Sequence, residues 1–111
     1  MLQHLQQTDI DAIIAACEQA EAAAPADPQS GELPLVARDH VYQLVDALPR
    51  EAQDELLALM RTGGPKNQSS FEQNLELVQK TVDENHAEFL SEQAVRLPGY
   101  LRDGLKRMAV P

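Results

Sequence analysis

Apolar residues recur at three- and four-residue intervals along most of this chain, the spacing of one helix face. Ile10, Ile13, Ile14, Cys17 and Ala20 form the first such stripe. Thr8 stands before it as a candidate N-cap, with Asp9 and Asp11 where a helix dipole favours acids. The spacing predicts a helix over 9–23. Pro25, Pro28, Gly31 and Pro34 then mark 24–35 as a linker, since proline lacks the N–H and fixes φ. The run "LPLVA" at its end is too short to suggest a sheet.

Val41, Leu44, Val45 and Leu48 predict a second helix over 36–47. A third is expected over 50–62, with Ala52, Leu56, Leu59 and Met60 inward and Pro49 pre-set for the first turn. Glu51, Asp54 and Glu55 crowd its N-terminal half, Arg61 lies near its end, and Gly63 suits a left-handed C′ residue. Ser70 and Gln73 have capping-box spacing and open a helix read as continuous over 70–92, weakest near 83–85. Phe71, Leu75, Val78, Val82 and Phe89 supply its apolar side. A last helix is expected over 97–108, with Tyr100, Leu101, Leu105 and Met108 inward. Gly104 inside it costs about 1 kcal/mol against alanine, so another helix should approach there. The pattern is all-α: one domain, a bundle of about five helices.

Composition makes the core aliphatic, because 111 residues include two Phe, two Tyr and no Trp. The net charge of −9 excludes the basic footprint that a nucleic-acid backbone requires. Charge is also divided. Residues 1–37 hold six acids and no Lys or Arg, whereas Arg96, Arg102, Lys106 and Arg107 face one acid in 96–111, Asp103. The two ends can attract each other or serve separate partners. Cys17 is the only cysteine, so no intramolecular disulfide forms. No apolar run is long enough for a membrane span, and no basic segment leads into an apolar one. We expect a cytoplasmic protein with no membrane association.

Chemistry is sparse. "RTGGPKNQSS" has glycines, a lysine and hydroxyls, but it lacks phosphate-loop spacing, follows a helix, and Pro65 removes a backbone donor. It reads as a helix stop and restart. His40, Tyr42 and His86 are the candidates for a pocket, and His4 falls near a chain end. Asp83 and His86 share a helix face, but two ligands do not make a metal site. Glu84, Glu88 and Glu92 lack the Glu-x-x-His pairs of di-metal bundles, so they read as a solvated acidic face. Cys17, on an apolar stripe beside acids, reads as a buried small hydrophobe. No cofactor or metal is expected.

"DALPREAQDELLALMRTGG", "FEQNLELVQKTV" and "FLSEQAVRLPGYLRDGLKRM" together resemble a small bacterial all-helical domain family of unknown function, over about residues 40–108. Leu48, Pro49, Gln53, Glu55, Leu56, Ala58, Leu59 and Met60 match its first motif. Leu97, Tyr100, Leu101, Gly104 and Leu105 match its closing helix. Arg61 to Gly64 and Ser91 to Gln93 depart from the pattern. The resemblance implies a helical fold and carries no catalytic residues.

The leading expectation is a protein–protein interaction module, an adapter or regulatory subunit binding a protein partner or itself as a homodimer. Ile10, Ile13, Ile14 and Cys17 are its candidate anchors, unless that helix packs on its own core. One alternative is a ligand-binding or enzymatic bundle, although the sequence leans against an enzyme. Another is an acidic inhibitor that mimics nucleic acid.

Overall fold

The computed structural model describes residues 2–23, 29, 33–66, 68–80 and 85–109, and not the side chains of Leu35 and Ala109. Among them are six helices and no strand: α1 (Gln7–Ala23), α2 (Leu35–Asp46), α3 (Arg50–Thr62), α4 (Phe71–Gln79), α5 (His86–Glu92) and α6 (Leu97–Ala109). The all-α expectation holds with one more helix than expected. The radius of gyration, 13.2 Å, is that of a single folded globule of this length.

The continuous helix expected over 70–92 is two. Lys80 ends α4, and Asn85, in extended conformation, caps α5 by accepting the Glu88 N–H at 3.1 Å. The break also redirects the chain: α4 packs on α3, whereas α5 packs mainly on α2. Val82, Asp83 and Glu84 lie outside the described residues, as does most of the 24–35 linker, Pro25, Pro28 and Gly31 included. "LPLVA" opens α2, with Leu33 buried and Pro34 as N-cap.

Several local expectations shift. α1 starts before Thr8: the Asp9 carboxylate reaches back to the Gln6 N–H at 3.0 Å, the glutamate half of a capping box. Pro49 is the N-cap of α3 rather than its first helical residue. The Ser70–Gln73 capping box forms in both directions, at 3.1 and 2.9 Å.

α3 is the centre. Ala52, Leu56, Ala58 and Leu59 are fully buried, with α4, α5 and α6 packed around them. α1 covers α2 and α6 with Ile10, Ile13, Ile14, Cys17 and Ala20. An exposed ion pair, Arg102 to Glu18 at 3.2 Å, joins the basic end to the acidic end.

Glycines set the α3–α6 crossing. A Cβ on Gly104 would lie 2.4 Å from the Leu59 carbonyl oxygen, the close approach expected from its cost. Gly63 is not left-handed: its φ is −86°, its ψ −4°. It must be glycine because a Cβ there would lie 1.8 Å from the Tyr100 carbonyl oxygen. Among the described residues, the one positive φ outside glycine falls at Lys66, φ 67°. Arg107 closes this corner by donating to the carbonyls of Thr62 and, at 3.4 Å, Ser69.

Candidate functional site

Two acids of α3 point inward, and no feature of their spacing announced it. Glu55, 3% exposed, accepts the backbone N–H groups of Gln3, His4 and Leu5 at 2.9, 2.8 and 2.7 Å. A buried carboxylate is tolerable only with such donors. These bonds tie the segment before α1 to α3, so α1 is held by polar contacts as well as apolar ones. The only earlier hint was that Glu55 falls inside the first resemblance motif.

Asp54 holds the second contact. Its Oδ1 lies 2.9 Å from His86 Nε2 and 3.3 Å from Arg50 Nε. A carboxylate only accepts, so Nε2 carries the proton and donates. The His86 side chain has no exposure, and its Nδ1 has no hydrogen-bond partner among the described residues. A histidine sealed in this way fastens α5 to α3. It does not reach a substrate.

The three pocket candidates are placed differently. His40 is exposed on α2, and His86 is buried behind α5. Half-buried Tyr42 accepts a hydrogen bond from Asn85 Nδ2 at 3.3 Å. Tyr42 lines a hollow of about 240 Å³ with Arg38, Asp39, Glu88 and Ser91. A neighbouring hollow of about 370 Å³ is lined by Leu57, Arg61, Asn85, Glu88, Phe89 and Glu92. Phe89, expected inward, is 39% exposed on this face; it belongs to α5, a helix separate from α4.

The anchors on α1 are occupied. Ile10, Ile13, Ile14 and Cys17 are 0, 1, 7 and 0% exposed and lie in this chain's own core. The stripe is not a free docking face, because α2 and α6 cover it. Burial, with Glu18 and Glu21 adding to it, pushes the Cys17 thiol up to about 12. At neutral pH it is a protonated, inert apolar group.

A third hollow, about 350 Å³, lies between the chain's beginning, α3 and α4. Glu51, Glu55, Glu72 and His4 line it over Phe71 and Leu75. Glu72 is held below the usual carboxylate range, first of all by its own backbone N–H at the start of α4. Among the described residues no group of three or more His, Cys, Asp or Glu could hold a metal, and no helix is long and apolar enough to cross a membrane.

Fold and surface together define a small helical domain with sealed polar staples and surface hollows, one of them holding an exposed aromatic. By sequence the chain belongs to the family described as "Protein of unknown function (DUF3775)", whose model matches residues 38–110. The match takes in α3 to α6 and α2 from Arg38 onward. No curated protein and no solved structure matches the chain.

Proposed function

We propose that this protein is a protein–protein interaction module, an adapter or regulatory subunit, working through the α2–α3–α5 face rather than through α1. The supporting observation is Phe89. Among the described residues three large apolar side chains are exposed, Val36, Leu77 and Phe89, and Phe89, 39% exposed, lines a hollow rimmed by charge. An exposed apolar feature with a polar rim marks a contact site. Two of its potentially reactive groups, Cys17 and His86, are withdrawn into the core. The reading includes a cytoplasmic location, which a lone buried thiol fits.

The test is in-cell cross-linking of the tagged full chain, followed by quantitative mass spectrometry. One stoichiometric partner, cross-linked near this face, is expected. Recovery of the chain alone overturns the adapter role.

The hollow under Glu51, Glu55 and Glu72 favours a second reading, a bundle that binds a small cationic ligand on an apolar floor. Thermal shifts with a panel of amines test it. Saturable stabilisation that Glu51→Gln abolishes supports this reading, and a flat response removes it.

A further inference from the structure

The two hollows beside α5 share one lining residue. Glu88 lines both, Arg38 lines only the first, and Arg61 only the second. Three carboxylates, Asp39, Glu88 and Glu92, are distributed along them, and Phe89 stands in the second. We propose that this double hollow is the docking groove for a short basic segment of a partner protein. The segment presents lysine or arginine to Glu88 and Glu92 and an apolar side chain to Phe89. The proposal rests on the interaction-module reading and names its partner's chemistry.

Charge selects this occupant. A chain of net charge −9 draws basic partners and repels a second copy of itself. Of its own cations, Arg102 pairs with Glu18 and Arg107 donates to Thr62 and Ser69, while Arg38 and Arg61 line the hollows and still leave the three carboxylates in excess by one charge. An aromatic next to carboxylates also suits a cationic side chain in a second way. The ring face attracts the cation while the acids neutralise it, and the ring edge takes its aliphatic stem. The groove is built on a firm base, since Leu57 is 2% exposed and His86 anchors α5 from below through Asp54.

The probe is an acetylated, amidated heptapeptide alternating leucine with arginine or lysine. It is titrated by NMR into the full-length, 15N-labelled chain, beside one peptide with glutamate for its cations and one with serine for its leucines. Saturable binding of the first peptide alone is expected, with shifts concentrated in residues 38–42, 57–61 and 85–92. Affinity should fall about tenfold in Phe89→Ala, and similarly in the Glu88→Gln, Glu92→Gln double variant. The double variant removes charge at the surface, so it reads the groove even if Phe89→Ala unfolds. Shifts centred on the Glu51–Glu72 hollow overturn the proposal. So does binding that follows charge but ignores both sets of variants, and so does Phe89-dependent self-association without peptide. A cross-linked partner that the double variant still retains overturns the groove and leaves the interaction module standing. Saturable groove binding with no cellular partner does the reverse.

Discussion

α6 and α5 both pack on α3, in opposite ways. α6 meets it backbone to backbone, with Gly63 under the Tyr100 carbonyl and Gly104 against the Leu59 carbonyl. α5 is seven residues long and meets α3 through side chains, above all His86 and Asp54. A helix that short has little stability of its own and depends on its contacts. The α3–α6 crossing leaves no room for variation, whereas the α5 side leaves hollows and an exposed ring. Binding faces are generally drawn from the less constrained side of such a contrast.

The largest effect should come from the crossing. Gly63→Ala would be a mild change on conformational grounds, since its φ of −86° suits alanine. The clash with Tyr100 predicts instead a loss of about 3 kcal/mol or more in urea unfolding. Gly64→Ala, whose Cβ would come no closer than 3.3 Å to a neighbouring atom, the Arg61 carbonyl oxygen, should be far milder. Equal effects at the two positions would erase the contrast.

Glu55→Gln should cost about 2 kcal/mol, because an amide nitrogen would face backbone donors. Hydrogen exchange should then quicken at residues 3–5 and in α1 before α5 changes. Ser70→Ala, which removes half of a surface capping box, should cost about 1 kcal/mol by the same unfolding assay. Phe89→Ala should cost least, at most about 1 kcal/mol, as expected for a side chain already 39% exposed. A loss as large as that of Gly63→Ala would make Phe89 core and end its role as a contact residue.

Cys17 tests the sealed side by pH. Its folded pKa is raised from 9.0 to about 12, so the unfolded chain ionises first as pH rises. Its contribution is complete below pH 9 and is lost progressively between 9 and 12. Cys17→Ala should flatten that part of the stability profile without altering the slope below it. Identical slopes in both proteins would mean that the thiol is not buried.

Periodicity and local capping determined the all-α class, most helix positions, the Ser70–Gln73 box, the inert Cys17 and the close approach at Gly104. These depend on residues within a turn or two of each other, or on the cost of one residue in a helix. Tertiary structure alone decided the rest. Glu55 and Asp54 have the spacing of surface acids, and only the distant N–H groups at residues 3–5 and the ring of His86 make their burial tolerable. Gly63 carries a helix-stop signature, but the carbonyl that demands glycine belongs to α6. Ile10, Ile13, Ile14 and Cys17 form an apolar stripe that would serve a partner or a core equally well. Whether its cover is α2 and α6 or another chain is a matter of where those helices lie, and periodicity holds no record of that. Phe89 shows the converse: it continues the heptad-like pattern of α4 as though it faced inward, yet it belongs to a separate helix, capped by Asn85, and is 39% exposed.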